Sequence, residues 1–345
     1  MSNLTKNELS ISTASIVKIA IFFLLFYFLY LASNIVLVLF ISFILFAAFN
    51  PIVNKMQSYN IPRPAGVAII YLFLFIIIIS VFILLVPIII SQVGDLIKIF
   101  PHYLDKAFAN FSQLEEYYNK YGIKENVQNN LDVLSAGIGG GIKGIVSIIA
   151  GIFGGFASFF IILVISFYML IEKSFINNMA QNIIPLKYRK DFVKLSNKIK
   201  DKLGDWARAQ MLLSLIIFVL TFTALSIFKI KYALVLALIA GLTEFIPYLG
   251  PIIGAIPAVF LALFQSPVSA LIVIIIYVVI QQFENMVLVP QIMQKVVGIN
   301  PIISIVALMA GFKVGGMFGA ILAIPLAILI IVVLSFLPKT DKKRV

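Results

Sequence analysis

The sequence contains no cysteine and a single histidine, His102, and only 12% of its 345 residues are charged. Without cysteine the chain has no disulfide bond, no thiolate metal site and no thiol nucleophile. One histidine excludes a histidine metal cluster and a histidine relay. The glycine cluster at 139–144 lacks the residue order of a phosphate-binding loop, so the chain cannot hydrolyse ATP through such a loop. These absences predict no metal, no cofactor and no enzymatic activity.

Apolar residues are abundant, at 62% of the sequence. Soluble domains average roughly 45–50% apolar and about 25% charged residues. Several uninterrupted apolar runs reach the length of about 20 residues that crosses a bilayer. We therefore predict an all-α, polytopic transmembrane bundle of about eight spans, with membrane lipid as its surroundings. We attribute the net charge of +12 to lysines on the cytoplasmic side of the membrane, and we predict no nucleic-acid partner.

Polar and apolar stretches divide the chain into six predicted segments. The first apolar run begins at Ile16, and a second follows at once without a cleavage site, so we interpret the first as a span and not as a signal peptide. The segments are three N-terminal spans at 1–90, an extracytoplasmic helical segment at 91–144, a fourth span at 145–171, a basic amphipathic cytoplasmic segment at 172–208, a C-terminal transport core at 211–338 and a cytoplasmic tail at 339–345.

Basic residues predict the orientation of these segments. Short loops that are rich in Lys and Arg stay in the cytoplasm. Residues 172–208 carry nine basic and four acidic side chains, whereas residues 91–144 carry five basic and six acidic ones. We therefore predict a multi-pass protein of the inner membrane with both termini in the cytoplasm.

Both polar segments have an apolar helical face. The apolar face in 91–144 predicts packing against the bundle or another subunit, or a lid over a pathway. The apolar face in 172–208 predicts packing on the membrane surface or between subunits, or binding of a cytosolic regulator. Trp206 precedes the fifth span, where we predict an interfacial anchor. The two faces consist of Leu104, Phe108, Phe111, Leu114 and Tyr118, and of Phe192, Leu195, Ile199, Leu203 and Trp206.

The run 232–264 contains an acid and two prolines at membrane depth. Pro247 and Pro251 have no N–H, so two helical hydrogen bonds are lost within one turn, and Gly250 lies between them. We predict that the helix is broken here and that Glu244 and Tyr248 face a substrate or ion pathway, because transporters aim such breaks at their cargo. The alternative is a kink that only shapes the packing.

A second polar patch lies near the end of the span 269–288. Gln281 and Glu284 are three residues apart and share a helical face, and Asn285 follows. We predict that this patch forms a polar wall opposite the broken helix. The alternative is a solvated Glu284 at the end of the span.

Glycines recur at a spacing of four residues. This spacing predicts close helix packing, although sliding surfaces have the same pattern. The run 300–338, which includes Lys313, is too long for one span, so it is a tilted crossing, a re-entrant hairpin or two crossings. Lys313 either reaches the membrane surface or pairs with an acid such as Glu284. The glycines are Gly151 and Gly155, Gly250 and Gly254, and Gly311, Gly315 and Gly319.

Four stretches of the chain resemble the autoinducer-2 exporter (AI-2E) family. The similarity covers most of the chain and is strongest over 230–330. The stretches are Gly241-Leu-x-Glu-Phe-Ile-Pro-Tyr-Leu-Gly-Pro-x-x-Gly-x-x-Pro257; Gln281-x-x-Glu284 with Pro290, Met293, Lys295, Gly298 and Pro301; Gly311-x-x-x-Gly-Gly316-x-x-Gly319-x-x-x-Ala-x-Pro325; and Arg63-Pro64-Ala65.

The resemblance implies a bacterial inner-membrane permease of about eight spans that forms a homo-oligomer, with a pentamer as the implied state. Some members of this family are assigned to export of the quorum-sensing signal autoinducer-2, and others to antiport of sodium or lithium against protons. No residue in this sequence separates the two branches.

Three functions are therefore open. The first is a secondary transporter or facilitator that exports a small polar solute, similar to autoinducer-2, along Glu244–Pro251. The second is sodium (lithium)/proton antiport through Glu244 or Glu284. The third is a membrane scaffold without transport, which predicts that Pro247→Ala and Glu244→Gln leave function intact.

Overall fold

The structure, a computed structural model, describes residues 31–80, 156–294 and 300–336, together with single helical positions at 24, 27, 83 and 91. Every regular element within these ranges is a helix, which confirms the all-α fold class. The helices are α1 (Ser33–Ser58), α2 (Arg63–Ser80), α3 (Phe156–Ile171), α4 (Phe175–Ile183), α5 (Leu186–Ile227), α6 (Ala233–Thr243), α7 (Gly250–Gln265), α8 (Pro267–Phe283) with a π-helical continuation at Glu284–Gln294, and α9 (Pro301–Phe336).

Five helices in the described ranges are long and apolar enough to cross a membrane by length and composition, namely α1, α2, α5, α8 with its continuation, and α9, whose length includes a bend at Gly315 and Gly316. A sixth span is added if α3 and α4, which meet at an angle of 93°, are counted as one. The predicted total of about eight spans also counts apolar runs outside these ranges, and it is approximate. The predicted helical face from Leu104 to Tyr118, Gly151, Gly155 and the tail at 339–345 lie outside the described residues.

Arg63 ties the first three helices together at one end. The side chain is buried, with 7% of its surface exposed. Its guanidinium donates to the carbonyl oxygen of Leu170 at 2.6 Å and to the side-chain oxygens of Asn54 at 2.7 Å and Asn50 at 2.8 Å. The last carbonyls of a helix have no partner inside it, so Arg63 also caps the C-terminal end of α3.

The long helix α5 joins the basic segment 172–208 to the fifth span without a break. It has 42 residues. At a rise of about 1.5 Å per residue it is about 63 Å long, roughly twice the thickness of a bilayer core. A helix of this length cannot lie within a bilayer core along its whole length if it crosses the core steeply.

Protein covers the apolar face of α5. Leu195 and Ile199 pack on a buried cluster that contains Leu203, Trp206 and side chains of α1 and α9. Trp206 is only 4% exposed, so it lies in this core and not against lipid headgroups, as an interfacial anchor would. The physical reason is the close approach of α1, because Gly204 lies directly against the main chain of α1.

Helices α6 and α7 form a hairpin with short arms of 11 and 16 residues. Their lengths, about 16 and 24 Å, are less than the roughly 30 Å of a bilayer core. Gly254 of α7 packs on Ala240 and on the Thr243 hydroxyl of α6, where a Cβ atom would lie only 3.0 Å from either neighbour. The run 232–264 is therefore a hairpin and not a single tilted helix.

Helix α9 folds back on itself at two glycines. Gly315 has φ −127°, and Gly316 has φ 58° with ψ −142°, a left-handed backbone that favours glycine. Gly311 and Gly319 consequently lie against each other's main chain from opposite arms. The run 300–338 is therefore a second hairpin.

The two hairpins pack against each other. Ile246, in the connection between α6 and α7, is 3% exposed. It lies in one buried cluster with Leu308 of the first arm of α9 and with Ala320 and Ala323 of the second. Ile246 thus anchors the connection between α6 and α7 in protein, and irregular backbone at membrane depth is tolerated where protein covers it.

Candidate functional site

The chain breaks its helix between Thr243 and Gly250, where the sequence places Pro247 and Pro251. Pro247 has no N–H to donate to the carbonyl oxygen of Thr243, and this oxygen instead accepts a hydrogen bond from Ile246 N at 2.9 Å. Pro251 likewise cannot donate to the carbonyl oxygen of Pro247, which accepts a hydrogen bond from Leu249 N at 2.8 Å. Local turns thus replace the two lost helical bonds, and α7 begins anew at Gly250.

Gly250 and Tyr248 complete this turn. Tyr248 has φ 65°, a left-handed conformation that is uncommon for a residue with a side chain. Gly250 packs so tightly on the main chain of Thr243 that no Cβ atom fits there. The break is therefore a compact, specified structure rather than a loose loop.

Glu244, the first residue after α6, meets Glu284, the first residue of the π-helical segment. The two carboxyl groups lie close enough to interact directly. Glu244 is 1% exposed and Glu284 is 5% exposed. Two buried carboxylates in contact repel each other, so at least one of them binds a proton or the pair holds a cation.

Gln210 of α5 is the third component of the site. Its side-chain Nε2 donates to the main-chain carbonyl of Glu244 at 2.7 Å, and the residue is 1% exposed. The sequence patterns did not predict a role for Gln210, because it lies between the basic segment and the fifth span. The available signal was an uncharged amide that recurs with Ser214 and Thr221 at helical spacing within the largely apolar run that begins at Met211.

A face of α8 supplies the opposite wall. Tyr277, Gln281 and Glu284 are four and three residues apart, so they follow one line along the helix. The helix widens from α to π winding at Glu284. Such π-helical turns are rare and frequent at functional sites, because they reposition a side chain within a continuous helix.

The structure does not bring all of the predicted pathway residues together. Glu244, Glu284 and the half-buried Gln281 converge, whereas Tyr248 is 51% exposed and Asn285 is exposed. Lys313 is also exposed on α9 and forms no ion pair with Glu284 among the described contacts.

Pro251 and Gln281 line an open groove of about 500 Å³ between α7 and α8. Most of its wall is apolar, and Tyr277 and Gln281 supply the only polar side chains in the lining. The groove runs past the polar face of α8, next to the break.

Several polar atoms of this region are buried without a hydrogen-bond partner among the described residues. In the site itself they are Glu244 Oε2, Gln210 Oε1 and Gln281 Oε1. Each is an oxygen that accepts hydrogen bonds, so the site offers acceptors to a protonated or hydroxyl-bearing ligand. The described part of the chain holds no group of three acidic or histidine side chains that would bind a metal ion.

Residues 18–339 match the sequence model of the AI-2E family transporter. YueF of Bacillus subtilis (strain 168) is 29% identical to this chain over 83% of the chain and 79% of YueF. YrrI of the same organism is 28% identical over 87% of the chain and 84% of YrrI, and both relatives are named as candidate transport proteins. The AI-2 transport protein TqsA of Escherichia coli (strain K12) is 22% identical over 87% of the chain and 84% of TqsA.

Proposed function

The chain belongs to the AI-2E transporter family, and from this premise we propose that it is a secondary transporter that exports a small polar solute across the bacterial inner membrane. The observation that carries the proposal is the contact between Glu244 and Glu284 at the break between α6 and α7. This contact is a pair of buried acids between helices that are otherwise mostly apolar, which supports a proton-exchanging centre. Membrane proteins keep such groups where a pathway passes.

The polar side chains beside the groove and the carboxyl pair favour a neutral solute with hydroxyl groups. The oxygens of Gln210 and Gln281 accept hydrogen bonds, and the hydroxyl of Tyr277 both donates and accepts. These groups recognise hydroxyls without a full opposite charge. The similarity to TqsA, named as an AI-2 transport protein, supports an autoinducer-2-like signal as the solute.

Antiport of sodium or lithium against protons is the second candidate, and the carboxyl pair favours it. A cation that displaces the shared proton would relieve the repulsion between the two carboxylates, and the acceptors of Gln210 and Gln281 would complete an oxygen coordination shell. The two candidates use the same residues and differ in the cargo.

Reconstituted liposomes distinguish these candidates. The interior pH is followed after pulses of sodium or lithium, and solute uptake is followed separately with autoinducer-2. We expect Glu244→Gln and Glu284→Gln each to abolish the transported flux, and the exposed Asp191→Asn, which also removes one negative charge, to retain it. A pH response to cations identifies antiport, and uptake of the signal without that response identifies solute export. Full activity of both Gln variants would contradict both.

The orientation is also a proposal. The basic first half of α5 extends beyond the span, which supports a cytoplasmic location for it and hence for both termini. Because the chain has no native cysteine, a single cysteine at Lys190 would report its side of the membrane. Labelling of Lys190→Cys by an impermeant thiol reagent in intact spheroplasts would contradict this orientation.

A further inference from the structure

Helix α5 buries three polar side chains along one line. Gln210, Ser214 and Thr221 are 1%, 8% and 1% exposed, and their spacing of four and seven residues places them on the same face. Gln210 Oε1, Ser214 Oγ and Thr221 Oγ1 have no hydrogen-bond partner within the described part of the protein. The line begins at the carboxyl pair, because Gln210 is bonded to Glu244.

The lack of a partner at Ser214 and Thr221 is unusual for a helix. Serine and threonine hydroxyls in helices commonly donate to the carbonyl four residues earlier. Thr223, two residues further on the exposed side of α5, does so, with Oγ1 donating to Val219 O at 2.7 Å. The buried hydroxyls of Ser214 and Thr221 do not use this bond, so they are available to another group.

Helix α8 continues the polar surface on the opposite side. The Tyr277 hydroxyl and Gln281 Oε1 are also buried without a protein partner in the described ranges. Tyr277 packs in the same cluster as Ile217, which lies between Ser214 and Thr221 on α5. The unpartnered atoms of the two helices therefore face the same interhelical space.

Five polar groups along one interface are rarely left unsatisfied in a folded protein, and buried water is the usual partner of such groups. The line from Gln210 to Thr221 covers eleven residues, or about 16 Å along α5. It ends below Leu225, which is fully buried in the neighbouring apolar cluster. The groups thus follow a defined track with the carboxyl pair at one end.

We propose that Gln210, Ser214 and Thr221 of α5, with Tyr277 and Gln281 of α8, line a file of buried water molecules that carries protons to and from the Glu244–Glu284 pair. Side-chain hydroxyls and amides hold such waters in a hydrogen-bonded chain, along which a proton moves by successive transfer. The file gives the pair access to protons within the bundle. The relay part of this proposal rests on the proposed function, whereas the water file does not.

Hydroxyl-radical footprinting of the purified full-length protein tests the file directly, because radiolytic radicals oxidise side chains beside bound water. Ile217, 4% exposed, lies on the track, and Leu236, 0% exposed, lies in the apolar cluster next to it. We expect Ile217 to be oxidised several-fold faster than Leu236. Equal, slow oxidation of both residues would overturn the proposal without the need for any variant.

The double variant Ser214→Ala/Thr221→Val removes both hydroxyls with little change of volume, and Thr223→Val is its matched control on the same helix. We expect the double variant to slow oxidation of Ile217 to the rate of Leu236. We also expect it to lower proton flux in liposomes about tenfold, which corresponds to about 1.4 kcal/mol in the barrier to proton transfer. Thr223→Val should change neither rate.

The oxidation rate of Ile217 tests the water file, and the flux in liposomes tests the relay and the proposed function, so the two can fail separately. If the double variant lowers the oxidation of Ile217 but leaves proton flux unchanged, the file exists and the relay is refuted. If Glu244→Gln and Glu284→Gln leave transport intact while Ile217 is oxidised rapidly, the proposed function fails and the water file stands.

Discussion

The side-chain amide of Gln210 donates to the main-chain carbonyl of Glu244 at 2.7 Å and thereby fixes the broken hairpin to the long helix α5. The bond joins residues 34 positions apart and lies in the protein interior. It holds the main chain of Glu244 in place at the point where its carboxyl group reaches Glu284. The position of the carboxyl pair therefore depends on α5 as well as on the break itself.

Replacement of Gln210 by leucine should destabilise the hairpin. The carbonyl of Glu244 would lose its buried donor, and an unsatisfied buried acceptor costs about 1–3 kcal/mol. We expect a lower free energy of unfolding in mixed detergent micelles and a reduced flux in liposomes. Gln282→Leu, at an exposed position of α8, is the matched control and should unfold as the native protein does. Identical unfolding of the two variants would contradict this role.

The glycines of α9 should differ in their tolerance of a side chain. Gly311 and Gly319 lie against each other's main chain, so Gly311→Ala and Gly319→Ala force the arms apart at a cost of about 1–3 kcal/mol. Gly315 has no atom within 4 Å of its hypothetical Cβ, so Gly315→Ala should fold normally. Thermal unfolding in detergent measures all three, and equal melting temperatures would exclude the close approach of the two arms.

Pro247→Ala tests whether the break serves transport. The new N–H would compete with Ile246 N for the carbonyl of Thr243 and favour a continuous helix through the break. We expect a folded protein whose flux is lower by about tenfold, a change that corresponds to about 1.4 kcal/mol in the barrier. Pro257→Ala, inside α7, removes a proline away from the break and should keep its activity. Normal transport by Pro247→Ala would favour the scaffold hypothesis.

Arg63→Lys should loosen the junction of α1, α2 and α3. A lysine ammonium cannot reproduce the planar fork that contacts Leu170 O, Asn54 and Asn50 together. Hydrogen bonds from charged donors contribute about 1.5–3 kcal/mol each, so we expect a loss of at least about 2 kcal/mol. The same change at Arg189 is the control, because this half-buried arginine donates a single described hydrogen bond, to the carbonyl oxygen of Gln181 at 2.9 Å. Unfolding by sodium dodecyl sulfate measures both, and a neutral result at Arg63 would refute its structural role.

Most of the fold class was predictable from local sequence. Apolar runs of bilayer length specify membrane helices, because unpaired backbone groups cannot be left in lipid. The positions of Pro247 and Pro251 likewise determined where the helix breaks, since a residue without an N–H cannot continue the helical bonds. Glu244 and Glu284 were also predictable from local sequence, because acids within apolar runs are costly in a membrane and usually have a function.

Other features depended on contacts between distant segments. The predicted contact of Trp206 with lipid headgroups is replaced by burial in the core, because α1 and α9 cover its side of α5, and nothing in the local pattern distinguishes a covered face from a lipid-facing one. The fold of 300–338 remained open among three forms, because the bend depends on whether Gly311 and Gly319 can pack across it.

The sequence by itself determined the membrane helices, the break and the two intramembrane acids, because each follows from the chemistry of neighbouring residues. Only the tertiary structure decided that Glu244 and Glu284 meet, that Gln210 holds the first of them, and that Tyr248 and Asn285 remain exposed. These relationships join α5, α6 and α8 across long stretches of chain. They depend on how the helices pack in three dimensions, which spacing along one helix does not specify.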